Sequence, residues 1–296
     1  MTMAPETTLT VAHVLDARPR DIGGFAVRRV LPAAACRSVG PFVFLDHMGP
    51  ADLAPGHGMD VPPHPHIGLA TVTYLLEGEI VHRDSVGAEQ TIRPGDINWM
   101  TAGSGIVHSE RTAPEVRRIG SRVHGLQIWV ALPAAEEEHT PKFDHYPASA
   151  LPAVKVGEAT VRVLAGSAYG ATSPVRTLSP LFYVEAVLPA GAALAAPPEH
   201  EERAVYVVLG AIDCEGARAE AGRMFVLTPG AAATLRATEE TRIVILGGPP
   251  LDGPRHIWWN FVSSSKARIE EAKVAWKDRR FPPVPGDATE FVPLPE

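Results

Sequence analysis

The chain has 296 residues and a formal net charge of −7, with 45% hydrophobic and 21% charged residues, as expected of a soluble globular protein of about two domains. Its acidic balance offers no basic surface excess, so direct nucleic-acid binding is not expected. No apolar run approaches the ~20 residues of a membrane span, and MTMAPETTLTVAHVLDARPR lacks a basic start followed by an apolar run, so the expected location is cytoplasmic, with no membrane contact.

The 29 prolines and 26 glycines punctuate short strand-like runs, the pattern of a turn-rich all-β protein. Along the chain, VGPFVFLDHMGP leads to PPHPHIGLATVTYLLEG, where Thr71 to Leu76 has the β-branched and aromatic content of a strand and Gly78 follows as a turn. EIVHRDS, EQTIRPGD, INWM, GSGIVHSE and GLQIWVALP continue the series. LPAAEEEHTPKFDHYPASALP, from Leu132, is rich in proline and charge and reads as a linker, its glutamate run a solvated connector. PLFYVEAVL, AVYVVLG, RMFVLTPG and TRIVILGG form a second set of strands. The two sets echo each other: Tyr74-Leu-Leu-Glu-Gly78 resembles Tyr206-Val-Val-Leu-Gly210, 132 residues further on, and Pro94-Gly95 is matched with Pro229-Gly230. Near the end, Ser263 to Ser265 offer N-caps for KARIEEAKVAWKDRR, with Ile269, Ala272 and Trp276 on one face, before FPPVPG stops the helix. The helix is expected to pack against a barrel. Cys36 and Cys214 form no CxxC motif and read as free thiols.

Histidines carry the chemistry. Ten of the twelve fall at or before His145. His64 and His66 stand at i and i+2 where the Thr71 strand begins, so they share one face, about 7 Å apart along the backbone. His108 and Glu110 repeat that spacing beside another strand. Facing each other across a small barrel, the two pairs provide three imidazoles and one carboxylate, a donor set for Fe, Zn, Ni or Cu in which the carboxylate favours a harder, octahedral ion with two positions open. A structural zinc site would be closed and rich in cysteine. Asp46 and His47 can reach the cavity mouth, and Trp99 and Met100 either wall the cavity or fill the core. His82 and His124 read as packed or exposed rather than ligating. GSG at Gly103 to Gly105 is a tight turn, because no Lys-Ser/Thr and no helix follow it.

HPHIGLATVTYLLEGEIVHRDS followed by IRPGDINWMTAGSGIVHSE resembles the signature of the pirins, within the cupin superfamily, and the resemblance extends from VGPFVFLDHMGP to the FVSSSKARIEEAKVAW helix. It implies a bicupin: two tandem double-stranded β-helix (jelly-roll) barrels with a C-terminal α-helix. Residues 1–140 would form the metal-binding barrel, and 141–296 a barrel without metal plus the helix and tail. By resemblance the ligands are His64, His66, His108 and Glu110, holding one divalent ion per chain, iron(II) above all, with Mn, Ni, Cu, Co or Zn also compatible. Many cupins carry a ligating glutamate three or four residues after the second histidine; here Ala70 and Thr71 stand there, so the carboxylate must come from Glu110. In the second half, the 132-residue offset maps His64 and His66 onto Ala196 and Pro198, while His200 and Glu202 read as a solvated rim and Arg236 as a residue that would repel a cation. The resemblance implies a dioxygenase of the quercetin 2,3-dioxygenase type, acting on a small aromatic flavonol and O2 with loss of carbon monoxide, Glu110 accepting the flavonol proton. It equally implies an alternative, a non-enzymatic, iron-dependent regulator acting through a protein partner.

Overall fold

The computed structural model describes residues 9–22 and 24–295. The chain opens with β1 (Val11–Asp16), β2 (Arg18–Asp21), β3 (Ala26–Leu31), β4 (Phe42–Leu53), β5 (Asp60–His66), β6 (Leu69–Glu77) and β7 (Ile80–Asp84). β8 (Glu89–Ile92), β9 (Ile97–Thr101), β10 (Ile106–Arg111), a short helix α1 (Pro114–Ile119), β11 (Ser121–Ala131) and β12 (Lys142–Tyr146) follow. The second set runs β13 (Ala153–Val156), β14 (Ala159–Ala168), β15 (Ala171–Thr172), β16 (Phe182–Leu188), β17 (Ala193–Ala195) and β18 (Glu202–Leu209). It continues with β19 (Ala211–Cys214), β20 (Ala217–Glu220), β21 (Arg223–Leu227), β22 (Thr234–Ala237) and β23 (Thr241–Gly248), before a ribbon of β24 (His256–Trp258) and β25 (Phe261–Ser263) and the helix α2 (Lys266–Lys277).

Each set folds into two facing sheets. In the first, β5-β10-β7-β8 faces β12-β9-β6-β11-β4-β3-β2; in the second, β17-β22-β19-β20 faces an eight-stranded sheet in which β21, β18, β23, β16 and β14 lie side by side. The two larger sheets pack back to back. Leu45, Val72, Tyr74, Trp99, Leu126 and Ile128 from one side meet Tyr183, Tyr206, Met224, Val244 and Leu246 from the other in one continuous core. Strands in this position are buried on both faces, which is why FVFL, TVTYLL and LQIWVA lack clean alternation.

The strands do not divide at 140/141. β1 pairs with β21, placing an N-terminal strand in the second barrel's sheet. β12 pairs with β9, so part of the expected linker is an edge strand of the first barrel. The C-terminal residues return to the first barrel: Ile67 bridges to Phe261, Val292 N donates to Pro63 O at 2.9 Å, and Arg111 binds Asp287. Both β1 and β12 cover a sheet edge whose backbone groups would otherwise stand unpaired. α2 starts at Ser265, whose side chain accepts from Arg268 N, and buries Ile269 and Ala272 against Ile67 and Phe261. Both cysteines are free. No helix among the described residues is long and apolar enough to cross a membrane.

Two expectations need correcting. Ile97 faces Tyr74 as Met224 faces Tyr206, and Gly95 N donates to Leu75 O as Gly222 N donates to Val207 O. Pro94-Gly95 therefore corresponds to Ala221-Gly222, not to Pro229-Gly230; loops of unequal length shift the register between repeats. The glutamate run is not wholly solvated either. Glu137 is buried, accepts from Ser263 Oγ (2.8 Å), Ser264 N (2.7 Å) and Ser264 Oγ (3.0 Å), and pairs with Arg255 Nε at 3.0 Å.

This carboxylate fastens the β25–α2 junction to the first barrel. Glu137→Ala would leave the Arg255 side chain, 1% exposed, without its buried partner. We expect a loss of about 3–5 kcal/mol in denaturant unfolding, with the C-terminal helix becoming sensitive to limited proteolysis.

Candidate metal centre

His64 and His66 lie at the end of β5, rather than at the start of the Thr71 strand. The chain turns into β6 at Gly68, whose φ of +67° and approach to the Val262 carbonyl leave no room for a Cβ. β10 runs antiparallel to β5, with His108 opposite His64 and Ile106 opposite His66. The imidazoles therefore converge on one face. Ring centroids lie 5.1 Å apart for His64–His66, 4.3 Å for His64–His108 and 5.1 Å for His66–His108. One nitrogen from each falls within 4.8 Å of the other two, so these three residues can hold a metal ion.

The proton chemistry suits that role. Burial is the largest influence on all three, holding His64 down to about 4 and His66 and His108 well below the ordinary imidazole value. Neutral imidazoles keep a lone pair for a cation. His64 Nδ1 is engaged with the Pro62 carbonyl at 2.9 Å, leaving Nε2, while His66 Nδ1 and His108 Nε2 are buried without a hydrogen-bond partner. Two buried nitrogens without protein partners, converging with a nitrogen of His64, fit a divalent ion, not a closed hydrogen-bond network.

Glu110 lies on the same face of β10, but its carboxylate is not among the three converging groups. β5 bulges opposite it, so that Glu110 faces Val61. Burial raises its proton affinity, opposed by His82 and by Thr73 Oγ1, which lies 3.4 Å from Glu110 Oε1. Thr73 Oγ1 also donates to Gln127 Oε1 at 2.8 Å. Behind His108, His82 Nδ1 approaches His108 Nδ1 to 3.3 Å, and His82 Nε2 lies 2.9 Å from Asp84 Oδ2. His82 is indeed packed, its ring stacked on Phe143.

The imidazoles and Glu110 open on a cavity of about 640 Å³. Asp46 lines it, held by two 2.8 Å hydrogen bonds from Arg29, whose guanidinium lies over Phe44. His47 does not. It points into the inter-barrel core and contacts Tyr206 OH and His124 Nε2, each at 2.8 Å. Trp99 is likewise packed between the barrels, and Met100 lies inside the first barrel behind Phe44 and Trp129, off the cavity surface. Adjacent strand residues point to opposite faces, so neither 46/47 nor 99/100 could line the cavity as a pair.

Sequence reasoning missed much of the wall. Phe44 and Trp129 stack at 3.9 Å beside His66, and Ile257, Trp259 and Val292 close the far side from the C-terminal segment. The strand alternation that separates Asp46 from His47 also places Phe44 on the cavity side; nothing local in the sequence announces the C-terminal residues.

The second barrel has the same frame with a different filling. Leu194 faces Leu235 across β17 and β22 as His64 faces His108, and Ala196 N donates to Ala233 O where His66 stands opposite Ile106. The counterparts of His64 and His66 are thus Leu194 and Ala196, two positions earlier than the 132-residue offset gives. His108 and Glu110 correspond to Leu235 and Ala237, and all four second-barrel residues belong to an apolar core. Arg236 points outward to Gly191 O, His200 stacks on Phe182, and Glu202 accepts from Gly40 N.

Two jelly-roll barrels back to back, one with a buried histidine cluster and one filled with aliphatic side chains, define a bicupin with, among the described residues, a single candidate metal centre. The chain belongs to the pirin family, matching Pirin over residues 24–130 and the Pirin C-terminal cupin domain over 183–282. A pirin-like protein of Caulobacter vibrioides is 51% identical over 286 residues, covering 96% of this chain and 99% of that one. The crystal structure of a quercetin 2,3-dioxygenase from Acinetobacter baumannii superposes with a TM-score of 0.89 at 34% identity, covering 96% and 95% of the two chains. The Escherichia coli pirin YhhW, solved in complex with nickel(II), shares the fold at TM-score 0.64 and 19% identity, covering 81% of this chain and 99% of that one.

Elemental analysis should give close to one metal ion per chain, falling to near zero in the His108→Ala, Glu110→Ala double variant. A value near two would assign a working site to the second barrel. Without metal, stability should fall with pH below about 6.5. Unfolded imidazoles protonate near 6.5, whereas folded His64 does so only near 4, and burial holds His66 and His108 well below the ordinary value too. Each such group removes up to about 1.4 kcal/mol per pH unit in that window. Buried His47 and His124 act in the same sense, while the raised carboxyls of Asp46 and Glu110 oppose them. Thermal unfolding of chelator-treated protein between pH 7 and 5 measures the balance.

Proposed function

We propose that this chain is a metal-dependent dioxygenase that opens the heterocycle of flavonols such as quercetin, releasing carbon monoxide. His64, His66, His108 and Glu110 would hold the ion, iron(II) in the first instance. The observation that carries this reading is a cluster of buried imidazoles held in the neutral form and opening, beside a buried carboxylate, into a cavity with an aromatic wall. The likeness to the Acinetobacter baumannii quercetin 2,3-dioxygenase supports it.

The bound ion would supply Lewis acidity toward the flavonol oxygens and a redox partner for dioxygen. The protein supplies the rest. A cavity of about 640 Å³ falls within the range that encloses small organic ligands. Phe44 and Trp129 place aromatic side chains in the cavity wall, which suits an aromatic ring system. Glu110 would act as the general base on loosening from the ion, when burial again favours its taking the flavonol hydroxyl proton.

Incubation of iron-loaded protein with quercetin should bleach the flavonol absorbance and release carbon monoxide in air but not under nitrogen, and not after chelation. Glu110→Gln should lower kcat by about 100-fold or more. Metal-loaded protein that turns over none of several flavonols would overturn the proposal and favour the regulatory alternative, contact with a protein partner.

A further inference from the structure

We propose that Asp84, acting through His82, fixes the proton order of a buried relay so that the Nε2 lone pair of His108 faces the metal site. Asp84 is fully buried at the end of β7. Its Oδ1 accepts from Val86 N and Ala88 N, each at 3.0 Å, which fixes the carboxylate's orientation. Oδ2 is thereby turned to His82 Nε2 at 2.9 Å, and His82 Nδ1 in turn to His108 Nδ1 at 3.3 Å. The imidazole stack on Phe143, with centroids 4.3 Å apart, holds the His82 ring plane.

With a neutral His82 ring, only one proton order satisfies the whole chain. A carboxylate oxygen accepts, so His82 Nε2 carries the proton and His82 Nδ1 presents its lone pair. Two imidazole nitrogens in contact need one donor and one acceptor, so His108 Nδ1 donates. His108 Nε2, buried in the cluster without a partner, is then left with its lone pair. The reverse order would place a proton on His108 Nε2, where it would have to leave before any metal bound. Asp84 and His82 are positioning residues. Such outer partners orient ligating imidazoles and raise their basicity. The last link rests on the metal reading given above; the proton order does not.

Asp84→Asn separates this role from packing. The amide oxygen would keep the two backbone hydrogen bonds and turn its NH2 toward His82 Nε2, reversing the order along the relay. His82→Gln preserves the order, with an amide oxygen for His108 and an amide N–H for Asp84. We expect the dissociation constant for nickel(II), measured by chelator competition, to rise about 10–100-fold in Asp84→Asn and to stay near the wild-type value in His82→Gln. Nitrogen-15 histidine spectra of the metal-free wild type should show His82 protonated on Nε2 and His108 on Nδ1. Unchanged nickel affinity in folded Asp84→Asn, or spectra with the proton on His108 Nε2, would overturn the proposal. If Asp84→Asn fails to fold, the wild-type spectra decide. A wild type that binds no nickel would count against the metal centre, and the spectra would still judge the relay.

Discussion

The pairing register of β10 governs everything around the site. On one side, antiparallel pairing with β5 sets His108 opposite His64. On the other, pairing with β7 sets His108 opposite Asp84 and Glu110 opposite His82. A slip of one residue against either neighbour would turn alternate side chains to the wrong face and dissolve both layers of the site together. The bulge in β5 takes up an extra residue on that strand, so Glu110 stays on the face of His108 without disturbing the pairing with β7.

A barrel interior lined by imidazoles and carboxylates contributes little to folding and carries the cost of desolvating polar groups. The second barrel compensates. Its interior is aliphatic at each position corresponding to His64, His66, His108 and Glu110, and its larger sheet joins that of the first barrel across a shared apolar core. The two copies of one frame differ in their filling, one holding a buried histidine cluster and the other an aliphatic core. The shared core also explains how β4 and β9 can place Asp46 and Met100 toward the first interior while His47 and Trp99 face the second barrel.

The histidine cluster could be read from the sequence because strand geometry is local: residues at i and i+2 share a face in any strand, and two such pairs beside strand-like runs suffice. The all-β class could be read because turn residues divide the apolar runs, and the pairing of two barrels from the echo of Tyr74 in Tyr206 together with the resemblance to the pirins. What could not be read depends on distance. Glu137 lies in a run of three glutamates that looks hydrated, and only the return of Arg255 and Ser263 shows that it is buried. Trp259 and Val292 wall the cavity because the chain comes back after the second barrel is complete. The repeat was visible in Tyr74 and Tyr206, yet its register drifts between strands, so a fixed offset assigned the counterparts of His64 and His66 two positions too late.

The exchange of terminal segments has a consequence for the order in which the protein is made. A chain emerging from the ribosome presents His64, His66 and His108 long before it presents Ile257, Trp259 and Val292. Until those residues arrive, the cavity beside the histidine cluster lacks one wall. The finished cavity therefore reports that synthesis has passed through the whole second barrel. In a nascent chain, the site is among the first features encoded and among the last enclosed.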